Sequence, residues 1–569
     1  MSRRSSNKND NSSRFLCFNS LFKLLLNILP LCLFFSYYPV ISLGASESMN
    51  FELSVALIWL VVFDVVVLVG SLRRKEFWRG VVKGWRWLLL PIWLSLTVIW
   101  SLNPVRGVLT AGILWLICFA VYGMWSYRGV LDTQFRARWW KWFYGSTMLV
   151  CAWCVVQCVL DLMGVPRGCS LMCAGCTYQM FGFPHPNGFA IEPQFMGNLL
   201  IAPAMVIAWI LVQDNWNGVF RGRVARARRH GARALILGRN LRKPLKTPFP
   251  ITHVANSQVF NDNGLHFLCF KFLLLCFFVI TATLFLTFSR GAIYAFGVGM
   301  VVMSVLEVVR EKKMRKDVAK RVGMVWLVVV GAFVMVLNLQ GLMAQFSRTN
   351  DTYVTGVTKV LNHLSLGVID VRGVSEEKQA LESGVTGVDG SCGESEGDME
   401  VVEKPVENSE DGLDEDGQEE AVFDGYVAES TDTRLRLTGA AIEVWHGNFT
   451  TAMFGVGLGG AGTALYNAGL SPAPKEIVQN EYASLLLETG VVGIVLASVL
   501  VAMVVMSIWK RGDRGILMLL LAYGVTLFFF SGLPNALQIY LMPAVLMVVR
   551  LDARDTSVRR NKKSGIVVY

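Results

Sequence analysis

Charged side chains are scarce in this chain of 569 residues, and their scarcity excludes several classes of protein. Asp, Glu, Lys and Arg make up 17% of the residues, whereas 53% are apolar. A soluble protein of ordinary composition carries about a quarter charged residues. The apolar residues also cluster in runs of about 20, the length with which a helix crosses the hydrocarbon. These features exclude a soluble enzyme, a disordered protein and a coiled coil. They predict an all-α, polytopic integral membrane protein.

About twelve transmembrane helices are predicted. A cytoplasmic basic tail over 1–20 precedes nine spans within 21–340, and a large extracytoplasmic loop over 341–484 follows them. Three spans within 484–549 and a second cytoplasmic basic tail over 550–569 complete the chain. The predicted spans are 21–43, 52–72, 87–102, 107–126, 142–163, 195–213, 265–289, 291–309, 322–340, 484–508, 515–531 and 535–549. The first could instead be a cleaved signal peptide.

The distribution of basic residues predicts the orientation. The net charge is +11, and most of the 53 Lys and Arg residues fall in segments that are cytoplasmic when the N-terminus is inside. Cytoplasmic loops collect Lys and Arg, so both termini and the basic loop 214–264 are predicted in the cytoplasm. The basic run Arg221–Arg229 lies between two spans, which favours contact with anionic lipid headgroups over nucleic acid.

The large outer loop has two kinds of sequence. Residues 373–424 are rich in Glu, Asp, Gly and Ser with almost no aromatics, which predicts a disordered acidic insert without a catalytic role. Residues 433–445 instead indicate a helix lying at the outer membrane surface, with Arg434 and Arg436 on its polar side. Its apolar side is predicted to hold Leu435, Leu437, Ala441, Val444 and Trp445.

Two cysteine groups have different interpretations. The outer segment 164–194 contains a C-x3-C-x2-C spacing made by Cys169, Cys173 and Cys176. That spacing can hold an iron–sulfur cluster in radical enzymes, but a short exported loop favours a disulfide or lipid-proximal thiols, with the pairing open. A second group falls inside a span and is interpreted as packing residues: Cys151, Cys154 and Cys158.

The stretch Gly455–Gly460 matches the pattern G-x-G-x-x-G. A dinucleotide site needs a preceding strand and a parallel sheet around this pattern. Neither is expected here, so a tight turn after the surface helix is favoured.

Ser289-Arg290-Gly291 interrupts two apolar runs with no loop to spare. A guanidinium at mid-membrane costs about 2.5–3.5 kcal/mol on insertion scales, so Arg290 is either functional or extends to the headgroups. Arg348, Arg434 and Arg436 could join it at an outer-leaflet site. Arginine suits phosphate and pyrophosphate because its fixed N–H donors bind them in pairs. The sequence leaves open whether the four converge.

Several stretches resemble signatures of the O-antigen ligase/polymerase superfamily, which are lipid-linked (C-type) glycosyltransferases of bacterial envelopes. They are Leu-Thr-Phe-Ser-Arg-Gly-Ala at 286–292, Arg434-Leu with Trp445 and the turn 454–459, Gln-Asn-Glu-Tyr at 479–482, and Glu488 to Gly493. Residues 535–540 in the last span also fit. The resemblance covers roughly 180–545, and the order and spacing of its motifs make it specific.

The resemblance implies transfer of a glycan from undecaprenyl pyrophosphate to a hydroxyl acceptor at the outer face of the bacterial cytoplasmic membrane. The acceptor can be a glycan, a lipid or a protein, and no cofactor, metal or nucleic acid is implied. Arg290 would bind the pyrophosphate and stabilise it as leaving group. The other implied pyrophosphate ligands are Arg348, Arg434, Arg436, Asn480 and Tyr482.

One position departs from the family. Ligases of this family typically have histidine where this chain has Gln479, and glutamine can only donate and accept hydrogen bonds. Either the general base lies elsewhere, with Glu481, Glu192 and His185 as candidates, or positioning suffices. The departure favours a polymerase, or a ligase with another acceptor, over a lipopolysaccharide ligase. Glu192-Pro193 can equally be a helix start with proline in its first turn.

A twelve-helix secondary transporter of a small solute is the main alternative. The long basic loop between the sixth and seventh spans fits such carriers. Three features argue against a transporter: the large outer loop, the lack of similarity between the halves, and the small number of ionisable residues within spans. The visible ionisable residues are Asp64 and Asp161. A structural scaffold is a third reading, which predicts nothing about Arg290.

Overall fold

The computed structural model of the protein describes residues 6–36, 39–43, 51–72, 74–163, 186–190, 192–213, 261–310, 315–346, 352–366, 432–474, 477–530 and 536–549. Outside the described residues lie most of the predicted loop 214–264, all of the acidic insert 373–424 and all of the tail 550–569. Within the described residues, regular structure is helical apart from one short hairpin.

The described α-helices are numbered in chain order. They are α1 (Ser6–Phe34), α2 (Val55–Ser71), α3 (Lys75–Lys83), α4 (Leu89–Thr97), α5 (Pro104–Ser126), α6 (Thr133–Leu162), α7 (Pro193–Val212), α8 (Asn261–Leu286), α9 (Arg290–Arg310), α10 (Arg315–Phe346), α11 (Tyr353–Leu364), α12 (432–446), α13 (Phe449–Phe454), α14 (Ala461–Asn467), α15 (Glu481–Arg511), α16 (Arg514–Thr526) and α17 (Leu537–Val549). Short 3-10 turns cover Trp85–Leu88, Val98–Trp100 and Arg128–Val130.

In the part of the chain that the structure describes, six helices are long and apolar enough to cross a membrane: Pro104–Ser126, Thr133–Leu160, Pro193–Val212, Arg290–Arg310, Lys316–Gln345 and Glu481–Arg511. Five shorter apolar helices are Phe18–Phe34, Trp85–Trp100, Lys271–Leu286, Arg514–Thr526 and Leu537–Val549, and α2 with α3 form a pair bent by 114°. Each predicted span overlaps one of these helices, so the expected helical membrane protein is confirmed. The number of twelve spans, their orientation and the outer loop stay predictions.

The first predicted span, 21–43, is wrong at its C-terminal end. α1 ends at Phe34, and β1 (Pro39–Leu43) pairs antiparallel with β2 (Phe51–Ser54). Pro39 supplies no backbone N–H and disfavours helix in the residue before it, and the following Val and Ile favour a strand. The second predicted span also begins later than expected, at Val55, where the Ser54 hydroxyl accepts a hydrogen bond from the first turn of α2.

The contacts divide the chain into two compact units. The first contains α1 to α9, α10 as far as Val336, and the chain from Arg434 onward. The second contains the end of α10 from Leu337, with α11. In it, the Tyr353 hydroxyl donates to Asn338 Oδ1 at 2.7 Å. The candidate site described next lies in the first unit.

Candidate active site

Residues 527–530, which follow α16, join the N-terminal ends of three helices. The Leu527 carbonyl accepts a hydrogen bond of 2.9 Å from the backbone N–H of Glu481, the first residue of α15. Ring pairs then reach α9 and α7: Phe529 with Tyr294 at 5.7 Å, and Phe530 with Phe195 at 5.2 Å. The N-terminal end of a helix carries a positive partial charge. Three such ends around one segment make its surroundings electropositive.

Gln194, in the first turn of α7, joins three of the functional segments. Its side-chain oxygen accepts a hydrogen bond from Arg434 Nη2 at 3.2 Å, and its side-chain nitrogen donates to Glu192 Oε2 at 2.5 Å. Its backbone carbonyl accepts from the Ser289 hydroxyl at 3.3 Å. We call these four residues and Arg290 the Gln194 cluster. They bring α12, α7 and the start of α9 together although they lie far apart in the sequence.

Arg290 is enclosed by protein, with 6% of its surface exposed. The turn before it is tight, since Phe288 adopts a positive φ of 48°. The Ser289 backbone carbonyl then accepts the first hydrogen bond of α9, from Ile293 N at 2.9 Å. Gly291 permits the contact with residues 527–530, because a Cβ there would lie 2.7 Å from the Phe529 Cβ. The Arg290 side chain is therefore enclosed by protein, and its depth in the membrane stays a prediction.

The start of α15 and the turn before it hold four of the predicted site residues. Asn480 caps the helix: its side-chain oxygen accepts from the N–H groups of Tyr482 (3.1 Å) and Ala483 (3.2 Å). The Tyr482 hydroxyl donates to the Gly524 carbonyl at 2.7 Å. Gln479 is partly buried in the preceding turn, and Glu481 is buried with 7% exposure. Glu481 is thus an enclosed carboxylate whose backbone N–H is bonded to residues 527–530.

The helix predicted over 433–445 is present as α12, while its position at the outer membrane surface stays a prediction. Its two faces differ from the expectation. Its packed residues form a cluster with α14 and the start of α15, comprising Leu437, Ala440, Ala441, Val444, Trp445, Leu465, Val478 and Leu487. Leu435 is 66% exposed, so its assignment to the apolar face is wrong. Arg434 is partly buried and reaches Gln194, whereas Arg436 is exposed. The helix advances about 100° per residue, so two arginines two apart point in different directions.

Other sequence predictions have mixed outcomes. Arg348, His185 and the outer cysteines Cys169, Cys173 and Cys176 lie outside the described residues. The three cysteines of α6, Cys151, Cys154 and Cys158, are buried, as expected for packing residues. Pro193 is the first residue of α7, so the predicted helix start at Glu192-Pro193 is confirmed. His446 is exposed at the end of α12.

The glycine stretch 455–460 forms a tight turn, as predicted, and packs backbone against backbone. Gly455, Gly457 and Gly459 all have positive φ, between 77° and 90°. A Cβ on Gly455 would lie 2.3 Å from the Glu488 carbonyl, and one on Gly457 would lie 2.3 Å from the Ser101 Cα. Gly457 N–H also donates to the Glu488 carbonyl at 2.9 Å. The glycines therefore serve close packing onto α15 and onto the backbone around Ser101 and Gly107.

A polar pocket lies beside this turn. Its lining comes from α5, from the turn and start of α14, and from one face of α15: Arg106, Thr110, Gly459, Ala461, Gly462, Ile477, Val478, Glu481, Ser484 and Glu488. Sequence reasoning missed Arg106 and Gln194 altogether, and it gave Glu488 no role beyond a motif. Arg106 carried a usable signal, since it lies in a short connection between apolar runs, as Arg290 does.

The apolar helices are typical of a helical membrane protein, and the Gln194 cluster brings polar side chains from the starts of α7, α9 and α12 together. A family model described as O-Antigen ligase matches residues 275–498. The chain therefore carries an O-antigen ligase domain over that range, and the predicted relation to the O-antigen ligase/polymerase superfamily is confirmed. The range includes Arg290, Arg434 and Glu481, while Arg106 and Gln194 precede it. A search of curated proteins finds no match.

Proposed function

We propose that the protein is a membrane glycosyltransferase of the polysaccharide polymerase or O-antigen ligase type. It transfers or polymerises a glycan from undecaprenyl pyrophosphate to a hydroxyl acceptor at the outer face of the cytoplasmic membrane. The observation that carries the proposal is the Gln194 cluster: the Arg434 side chain donates to Gln194 at the start of α7, and Ser289, the neighbour of the enclosed Arg290, donates to the Gln194 carbonyl. The O-antigen ligase domain supports the same class of reaction.

In the proposed step, the acceptor hydroxyl oxygen forms a bond to the anomeric carbon of the donor glycan. The bond from that carbon to the pyrophosphate oxygen breaks, and the pyrophosphate leaves with the electron pair. Arg290 and Arg434 donate hydrogen bonds to the oxygens on which negative charge develops. Removing one such preorganised donor typically lowers kcat by about 10²–10³-fold.

The hydroxyl proton passes to a carboxylate, for which we assign Glu481. Gln479 has no basic group and can only orient the acceptor or the glycan. Glu192 already accepts a hydrogen bond from Gln194 at 2.5 Å, which suits it to hold Gln194 in place for Arg434. Glu481 is buried, begins α15, and is fixed through its backbone N–H to Leu527.

A secondary transporter remains a second candidate because of Asp64. This residue is 5% exposed in α2, and neither carboxylate oxygen has a hydrogen-bond partner among the residues that the structure describes. Ionisable residues inside spans often couple transport to ions or protons. The O-antigen ligase domain nevertheless favours the glycosyltransferase.

Substitution of Arg290 separates the two candidates. In cells that depend on this protein, Arg290→Ala should abolish glycan transfer, read as the size distribution of the surface glycan on a gel. Its abundance in the membrane fraction should stay normal. Asp64→Asn is the paired variant and should leave transfer intact. Normal transfer by Arg290→Ala, or loss of transfer with Asp64→Asn alone, would favour the transporter.

A further inference from the structure

The helix α15 is broken at Gly490. This residue adopts φ 64° and ψ −171° inside an otherwise helical segment. Glycine is essentially the only residue that occupies this backbone region. A Cβ at this position would also lie 2.3 Å from the carbonyl oxygen of Met453, at the end of α13. α15 therefore comprises two helices, 481–489 and 491–511, and the first of them carries Glu481.

The last three carbonyl groups of helix 481–489 accept hydrogen bonds from outside α15. Those of residues 487 and 488 accept from two backbone N–H groups of the glycine turn, which belong to Val456 and Gly457, at 2.9 Å each. The carbonyl of Thr489 accepts from the indole Nε1–H of Trp93, in α4, at 3.4 Å. A carbonyl that a helix break leaves without a partner is costly away from water, so these three donors stabilise the break.

The first residues of helix 481–489 are also held from outside α15. The backbone N–H of Glu481 donates to the Leu527 carbonyl at 2.9 Å. The Tyr482 hydroxyl donates to the Gly524 carbonyl at 2.7 Å, and its ring lies 4.5 Å from the ring of Phe528. Other segments therefore fix both ends of this short helix, and the orientation of the helix after the break does not by itself determine where Glu481 lies.

The hydrogen bonds at the broken end act along the axis of helix 481–489, because the carbonyl groups of a helix point along its axis towards the C-terminal end. A helix of this length is a rod of about 13 Å, so a shift of one end along the axis moves the other end by the same amount. A displacement of about 1 Å at a reacting group lowers a rate by up to about 10²-fold. The donors at the break therefore control the position of Glu481.

We infer that Trp93 is a positioning residue for Glu481, the carboxylate assigned above as the proton acceptor. Together with the two N–H groups of the glycine turn, its indole N–H fixes helix 481–489 along its axis. It thereby sets the distance from the Glu481 carboxylate to the acceptor hydroxyl. The inference rests on the proposed function, because that function gives Glu481 its role.

The test is a double-mutant cycle between Trp93 and Glu481 in cells that depend on the full-length protein. Trp93→Phe removes the indole N–H and keeps an aromatic ring, and Glu481→Gln removes the proton acceptor. After induction of each variant, the rate of glycan transfer is read from the surface glycan on a gel and divided by the abundance of the variant in the membrane fraction. The Kd for undecaprenyl pyrophosphate is measured on each purified variant in lipid nanodiscs by native mass spectrometry.

Trp115→Phe is the matched control. It also removes an indole N–H, which donates to the Ser95 hydroxyl at 2.9 Å and links α5 to α4 instead of α4 to α15. A second change at position 93 replaces Trp93 by 3-benzothienylalanine, which keeps the shape of the indole and has sulfur in place of the N–H. This residue gives the same readout if Trp93→Phe does not accumulate in the membrane.

We expect Trp93→Phe to lower the rate of transfer about 5- to 100-fold, between the effect of one lost hydrogen bond and that of a displaced reacting group. The Kd for undecaprenyl pyrophosphate should stay the same, because Arg290 and Arg434 lie on other helices. In the Glu481→Gln background, Trp93→Phe should lower the rate no further, because the group that Trp93 positions is absent. Trp115→Phe should transfer glycan at the normal rate.

Two outcomes would overturn the inference and leave the proposed function standing. One is a normal rate of transfer with both changes at Trp93. The other is an equal loss of rate by Trp93→Phe with and without Glu481→Gln, which is the result of a purely structural role. Full transfer by Glu481→Gln would remove the role of Glu481 and the inference with it. If undecaprenyl pyrophosphate fails to bind the unaltered protein, the proposed function itself fails and the inference falls with it.

Discussion

Arg434 and Arg436 provide a matched pair of variants for the proposed pyrophosphate site. They lie two residues apart in α12, but only Arg434 reaches the Gln194 cluster, through its 3.2 Å hydrogen bond to Gln194 Oε1. Arg436 is exposed, where solvent and salt screen its charge. Replacing each with Gln removes the same charge from the same helix. The difference between the two variants therefore isolates the effect of position.

The expected magnitude follows from the contact that is lost. A hydrogen bond to a charged group is worth about 1.5–3 kcal/mol, and about 1.4 kcal/mol corresponds to a factor of ten in Kd. Arg434→Gln should thus weaken binding of undecaprenyl pyrophosphate by about 10- to 150-fold. Arg436→Gln, which loses only a screened charge, should weaken it by less than about fivefold.

The assay is a titration of each purified variant with undecaprenyl pyrophosphate at low and high salt. Loss of the bond to Gln194 should also lower the melting temperature of Arg434→Gln slightly, so each titration is done well below it. Equal weakening by both variants would mean that only the overall charge matters. An unchanged Kd in Arg434→Gln would refute the assignment of this arginine to the site.

Three further results are expected. Gly455→Ala should destabilise the protein by more than about 1–2 kcal/mol, because the positive φ of Gly455 and its contact with the α15 backbone exclude a Cβ. The control is Gly439→Ala, at an open position in α12, which should not lower the melting temperature. Trp125→Ala should lower the free energy of unfolding by about 0.5–1 kcal/mol for each lost cation–π contact, one of which is with Arg511 at 4.1 Å. It should leave glycan transfer intact. Activity and melting measurements on one preparation check both expectations. Deletion of 373–424 should leave transfer largely intact, and complete loss would contradict its interpretation as an inert insert.

The sequence determined where the apolar helices lie. A span needs a fixed length of apolar residues, so hydropathy alone located a helix for every predicted span. It failed at residues 39–43, where apolar composition suits a strand as well as a helix and only the pairing with residues 51–54 decides. Arg290 was also detectable in advance, because a cation between two apolar runs needs an explanation.

The composition of the site was decided only by the tertiary structure. Gln194 has an unremarkable local sequence, yet it bonds to Arg434, 240 positions away. Arg106 meets Glu488 only because the glycine turn packs α5 and α15 together. Apolar periodicity reports which residues avoid water, and it carries no information about which polar ends of the helices meet. That choice depends on the packing of whole helices, which the folded chain alone establishes.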